Sequence, residues 1–408
     1  MKRLTSLGWA VLLATTAACG VEPGEPGNDG GSGGVAGAGG GGGELHFDAS
    51  DIQLNDVSVM FPLPATNRER DAGMLGVDAK GTRGVLLPSS IYQAIGPVSG
   101  RSGEVLTGGT PKAAYADLHV VAMRIDPCFA ELAPPADGEG CDNQLRLVVQ
   151  EVKDGSAFDS ALHLFYSITR DELLDVVRAV GGLRQSLKPG EKLGKLQPHP
   201  LMVEQGLTGS MSRGVRDAVL AHAGSENLIR VTRMSESNGP FWDFSGFDIA
   251  DGKAVPMAIP TLPPEAQKQT FVRGFSAELM GSAEPPSGSE DDFMVLMNPT
   301  EAKALSEAER ERKWAALLRV ESASAHSPNT VDCVTCHVAT PATKLVVEPL
   351  LGIESELPAE LAATFENDEA LTNIHAFSYL QTKVGINQRT VNETAAVVEY
   401  LSGQDFGE

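Results

Sequence analysis

Gln144-Leu145-Arg146-Leu147-Val148-Val149-Gln150-Glu151-Val152 sets Leu145, Leu147 and Val149 on one side of the chain and reads as a β-strand. Leu162 to Ile168 reads as a neighbouring strand. Directly after it, Thr169-Arg170-Asp171-Glu172 has the form of a capping box that opens a helix, and Gly181-Gly182 ends that helix. Working outward, Ser212 to His222 predicts another helix, and Ser306 with Glu309 caps one that runs through Trp314, Leu317 and Leu318. Asp251-Gly252 lies between Phe247-Asp248-Ile249 and Val255-Pro256-Met257, the pattern of a tight hairpin. Strand and helix signals of this kind predict an α+β class for residues 45–320.

The chain has 408 residues, more than one typical core requires, so at least two domains are expected. Its formal charge of −22 repels nucleic acid and anionic headgroups, which excludes both as partners. The acidity serves solubility or offers a docking face to a basic partner.

Residues 1–19 read as an export signal. Met1-Lys2-Arg3 is the positive start, and Leu4 to Thr15 is an apolar stretch too short to span a bilayer. Thr16-Ala17-Ala18-Cys19 then resembles the bacterial lipoprotein signal, with Thr16 where Leu is usual. That resemblance implies a lipid on Cys19 and an exported protein held on the periplasmic or cell-surface side, at the outer membrane. Ordinary secretion is the alternative. Residues 20–44 are glycine-dominated and form a flexible tether whose ends lie roughly 25–30 Å apart.

Five cysteines occur in all. With Cys19 set aside, Cys128 and Cys141 are expected to form a disulfide in an oxidising compartment, closing a short loop and adding roughly 3 kcal/mol. Two buried free thiols are the alternative. The remaining pair lies in Cys333-Val334-Thr335-Cys336-His337. In C-x-x-C-H, two thiols spaced by two residues can add across the two vinyl groups of one haem, and the adjacent His falls beneath the iron. Other readings of the motif are a thioredoxin-like redox pair, which should follow a strand, and a plain disulfide. A structural zinc site would need further cysteines that the chain does not supply.

From Ser327 to Glu408 the chain resembles a small single-haem c-type cytochrome domain, on the motif and on the last helix. Thr390-Val391-Asn392-Glu393 reads as a capping box before an apolar face of Ala396, Val397, Tyr400 and Leu401. Pro358 to Phe365 and Asn367 to Leu380 each read as short helices. The resemblance implies a mostly helical domain over residues 321–408, haem c bound by Cys333 and Cys336, iron ligated by His337, an aromatic–aliphatic pair Tyr400-Leu401 near the haem, and electron transfer to a redox partner. These cytochromes usually supply a downstream Met to the iron, and here every Met lies upstream, the last being Met297. His375 is the strong ligand downstream of the motif and is the expected second iron ligand; His326 and Met297 are the upstream alternatives. An open iron position would instead permit peroxidase-like oxidoreductase chemistry, and a disulfide at the motif would leave a haem-free binding or scaffold lipoprotein. From Cys333 onward, eleven acids against three bases give −8, which suits a basic redox partner.

In residues 45–320, His46, His119, His163, His199 and His222 are scattered without metal-ligand spacing. Asp126 and Asp142 flank the expected disulfide as solvated loop residues. No catalytic motif marks this region, so no enzyme assignment is made from it.

Overall fold

In the computed structural model the residues described are 51–99, 113–127, 143–187, 191–237, 241–276, 279–353, 357–366 and 373–404. Cys19, the tether, Cys128, Cys141, Asp142 and His46 lie outside them, and so do the expected lipid anchor and disulfide.

The first elements are α1 (Leu54–Val57), β1 (Ser58–Met60), α2 (Asn67–Gly73), a small hairpin of β2 (Lys80–Gly81) and β3 (Gly84–Val85), and α3 (Ser89–Ile95). Next come β4 (Leu118–Asp126), β5 (Asn143–Lys153), β6 (Ser156–Ile168), α4 (Arg170–Gly182), α5 (Pro200–Gln205) and α6 (Ser210–His222). The chain continues with β7 (Leu228–Ser237), β8 (Phe241–Ala250), β9 (Lys253–Pro256), β10 (Lys268–Ser276) and β11 (Leu279–Glu284). It closes with α7 (Pro299–Ala304), α8 (Glu307–Glu321), α9 (Cys333–Ala342), β12 (Thr364–Phe365), β13 (Phe377–Leu380), β14 (Lys383–Ile386) and α10 (Gln388–Ser402).

Nine of these strands form one antiparallel sheet in the order β1-β4-β5-β6-β7-β8-β10-β11, with β9 paired to β8. The α+β class therefore holds, with sheet as the dominant framework. Local signals account for much of it. Thr169 and Glu172 close the capping box of α4, and Ser306 and Glu309 close that of α8. Asp251 and Gly252 both adopt positive φ, 50° and 69°, which is the backbone a two-residue hairpin turn between β8 and β9 requires.

The sheet's two faces differ. Along β5 and β6, Leu145, Leu147, Leu164 and Tyr166 join a core with Leu173, Leu174 and Val177 of α4. The residues between them point the other way: Arg124, Arg146 and Phe165 face one another across β4, β5 and β6, and His163 pairs with Thr232 of β7. This second face is covered by the C-terminal segment. Ser58 of β1 meets Thr394 of α10 at 2.7 Å, and Gln150 of β5 hydrogen-bonds both the N–H and the C=O of Tyr379 in β13.

The expected boundary near residue 320 is thus bridged by packing. All described residues belong to one compact unit, Leu45–Glu408, and the core containing Val59 and Leu147 also contains Phe377, Val391 and Leu401. Nor is the C-terminal part helical throughout. The stretch expected as a helix over 367–380 ends in strand β13, which pairs with β14, and Thr364–Phe365 is strand β12 rather than the end of a helix. The last helix starts at Gln388, with Asn387 as its N-cap accepting from the Thr390 N–H, so Thr390 and Glu393 are interior residues and not a capping box. Its buried stripe is Val391, Thr394, Val397 and Leu401, and Tyr400 is exposed.

Candidate functional site

Cys333, Cys336 and His337 occupy the first turn and a half of α9. Asp332 is the N-cap, its carboxylate accepting from the Thr335 N–H at 3.0 Å and from the Thr261 hydroxyl at 3.1 Å. Gln269 of β10 accepts from the Val334 N–H at 2.9 Å. Farther along, Thr340 donates to Glu321 of α8 and accepts from the Gln388 N–H of α10. The helix is therefore fastened to three neighbouring elements, which fixes where its side chains point. Val334, Thr335 and Val338 are buried, whereas Cys333, Cys336 and His337 keep partial access, because these three line a cavity of about 150 Å³.

The opposite wall of that cavity is the sheet. Arg124, Arg146, His163, Phe165, Thr232, Met234 and Phe244 contribute to it, and α10 adds Arg389 and Glu393. A second cavity of about 100 Å³ shares Arg146, Phe165, Thr232 and Cys333 with the first and extends it toward Met257. The Phe244 ring lies 4.9 Å from His337, and the Arg146 guanidinium sits 5.0 Å from the Phe165 centroid.

His337 is oriented by its Nδ1–H, which donates to the Ile374 carbonyl at 2.7 Å. That bond leaves Nε2 as the nitrogen with a lone pair, the arrangement of a metal-bound imidazole held by a backbone carbonyl. Burial lowers the His337 pKa to about 4, so the ring is neutral at ordinary pH. Burial likewise lowers His163, to about 3, with His337 the next contributor. The two rings lie 6.4 Å apart, with 27° between their planes.

The thiols are not activated. Burial pushes Cys333 up to about 12, helped by the Asp332 carboxylate, and pushes Cys336 up to about 11. The two are unbonded. A loop and not a strand precedes α9, and a thiol that stays protonated is a poor nucleophile for disulfide exchange. The thioredoxin-like reading therefore lacks both its context and its chemistry.

Charge in the cavity is organised around Glu393. Its carboxylate meets Arg124 at 2.9 Å and Arg389 at 2.6 Å. Burial alone would raise its pKa, but Arg389, Arg124 and Arg146 outweigh burial and hold it at about 2. Two guanidiniums thus share one carboxylate at the cavity wall, while Arg146, paired to Asp126, adds its charge nearby. The buried Arg124 Nε has no hydrogen-bond partner among the described residues.

His375, the expected second iron ligand, lines the same cavity but is engaged on both sides. Its Nε2–H donates to the Asp159 carboxylate of β6 at 2.8 Å, and its Nδ1 meets the Ser378 hydroxyl at 2.5 Å. A Cβ on Gly385 would lie 2.7 Å from the His375 Cβ, so glycine there is what lets β14 approach it. His326 is similarly occupied, by Asp291 and Thr330, and Met297 is sealed in the core. Of the residues that reach the cavity, His163, Arg124, Arg146 and Arg389 carry no sequence signal of their own, and Glu393 carries only that of the expected capping box. They come together through strand register and through α10 folding back over the sheet.

Among the described residues no group of three or more His, Cys, Asp or Glu side chains is placed to hold a metal ion, and no helix is long and apolar enough to cross a membrane. A porphyrin needs a different donor set: two thiols and a neutral imidazole on one wall, apolar and aromatic surfaces facing them, and cationic groups for its carboxylate arms. Cys333, Cys336, His337, Phe165, Phe244 and the three arginines supply groups of those kinds, although the arginines are paired to Glu393 and Asp126, and the two cavities of about 150 and 100 Å³ would have to widen to take a porphyrin. No protein-family model, curated protein or solved structure matches this chain.

Proposed function

We propose that this chain is an exported electron-transfer protein carrying one haem c, attached through Cys333 and Cys336, with His337 on the iron. The observation that carries the reading is the conjunction at α9. The C-x-x-C-H run forms the start of a rigid helix, its three chemical side chains open onto one cavity, and the Nδ1–H of His337 is spent on a backbone carbonyl. When bound, haem supplies a one-electron redox centre.

The chain's own residues do the rest. Cys333 and Cys336 would hold the haem through thioethers, each S–H adding across one vinyl C=C so that sulfur bonds one carbon and the hydrogen goes to its neighbour. The addition is redox-neutral and needs no oxidant. His337 offers Nε2 in a fixed direction. Phe165 and Phe244 line the cavity with aromatic surface, and Arg124, Arg146 and Arg389 would present positive charge to the haem carboxylates. Export and a lipid on Cys19 would hold the protein at the outer membrane, on the periplasmic or cell-surface side. Residues 20–44 would give it reach, and its acidic surface would steer a basic redox partner.

The test is to produce the full chain in cells with c-type maturation machinery, then denature it and extract with acid–acetone. About one equivalent of haem should stay with the polypeptide, and Cys333→Ala with Cys336→Ala should abolish retention. A wild-type chain without retained haem, from cells that mature another c-type cytochrome, removes this reading.

A further inference from the structure

Resting on the haem reading above, we infer that His163, in the middle of the sheet and 174 residues before His337, is the second axial ligand of the iron. The site would then be closed on both sides, and its work would be electron transfer rather than catalysis at an open position.

Four observations lead there. First, His163 and His337 line the same cavity, together with both cysteines. Second, their ring centroids are 6.4 Å apart, and it is this spacing, not the stacked orientation of the rings, that bears on ligation. Two imidazoles bound from opposite sides to one metal, each at about 2.0–2.1 Å, hold their centroids roughly 6 Å apart. Third, neither ring nitrogen of His163 has a hydrogen-bond partner among the described residues, while Nε2 of His337 is left over from its bond to Ile374. Fourth, the competing ligands are occupied or sealed. His375 is held by Asp159 and Ser378, His326 by Asp291 and Thr330, and Met297 lies in a closed core. His199 also lacks partners, but it is fully buried and does not line the cavity. Met234 does line it, and is the one rival left standing on the sheet wall.

His163 is also positioned as a ligand should be. It stands in the middle of β6, paired with Val148 on one side and Thr232 on the other, so its backbone is held on both flanks by ladder hydrogen bonds. Binding to iron would join β6 to α9 through the metal and give the imidazole the partner it lacks.

The experiment uses matured holoprotein, with His163→Ala, His163→Met and His375→Ala as variants. Haem retained on the denatured chain reports attachment; the visible and EPR spectra report spin state; and titration reports the midpoint potential. Wild type should be low-spin. His163→Ala should retain its haem, turn high-spin, and return to low-spin when imidazole is added. His163→Met, which preserves volume if the alanine variant folds poorly, should stay low-spin with a raised potential, as a thioether ligand requires. His375→Ala should remain low-spin. A low-spin His163→Ala protein with retained haem overturns the assignment and points to Met234. A high-spin wild type overturns it in favour of an open, peroxidase-like site. A wild type without haem removes the parent reading and this inference with it.

Discussion

Two corners of the same strand face invite comparison. On β6, Asp159 and His163 stand four residues apart and point the same way, each meeting a histidine of the C-terminal segment. At the first corner both histidine nitrogens are used: the Asp159 carboxylate accepts from the Nε2–H of His375, and the Ser378 hydroxyl donates to Nδ1. At the second, His163 and His337 line one cavity with their ring centroids 6.4 Å apart and no hydrogen bond to His163 among the described residues. Burying polar groups costs stability unless they find partners, so the first corner secures an element, and the second is the arrangement that the haem proposal requires. The haem reading depends on that contrast.

The contrast can be broken most forcefully at the first corner. His375→Ala strands a buried carboxylate and should destabilise the fold by about 3–5 kcal/mol in denaturant titration. If the loss is under about 1 kcal/mol, the first corner is not a structural tie and His375 returns as a ligand candidate. A gentler disturbance of the same corner is Gly385→Ala. Its new Cβ would meet the His375 Cβ at 2.7 Å and the Asn373 Oδ1 at 3.0 Å, and the expected cost is about 1–3 kcal/mol. Thermal unfolding of the purified variant measures it. Unchanged stability would mean that β14 yields easily, and that the close approach to His375 is incidental.

How much of this was legible in the sequence follows from how local each signal is. The capping boxes of α4 and α8, the Asp251-Gly252 turn and the pattern of β5 each act within a few residues, and the folded chain keeps them. The C-x-x-C-H run could be recognised for the same reason, since its chemistry is complete in five residues. His163 was not, because a single histidine between Leu162 and Leu164 in an apolar strand carries no spacing to read. Its meaning comes from α9, brought against it by the packing of the C-terminal segment across the sheet. Glu393 was legible only as the end of a misplaced capping box, because Asn387, three residues earlier than Thr390, took the N-cap. Phe377-Ser378-Tyr379-Leu380 is buried throughout, so neither helical nor strand periodicity marks it, and pairing with Val384 and Ile386 decided its conformation.

The smallest expected effect is the sharpest test of the second corner. In the chain made without haem, His163→Leu should change stability at pH 8 by no more than about 0.5 kcal/mol, since it removes no hydrogen bond and replaces a buried imidazole with an apolar group of similar bulk. Acid should separate the two proteins. The folded state holds His163 at about 3, by burial first and His337 second, while the unfolded chain takes up that proton near 6.5. Unfolding therefore binds a proton across that window, and wild-type stability must fall as the pH drops from 6.5 toward 3. His337, lowered by burial to about 4, adds its own loss from 6.5 downward. In His163→Leu the first contribution vanishes and the second remains, so the variant should overtake wild type below pH 6 and stay ahead. Chemical denaturation at pH 8, 6, 5 and 4 reads this directly. If His163→Leu instead costs several kcal/mol at pH 8, His163 already has a structural partner, and the two corners of β6 are alike after all.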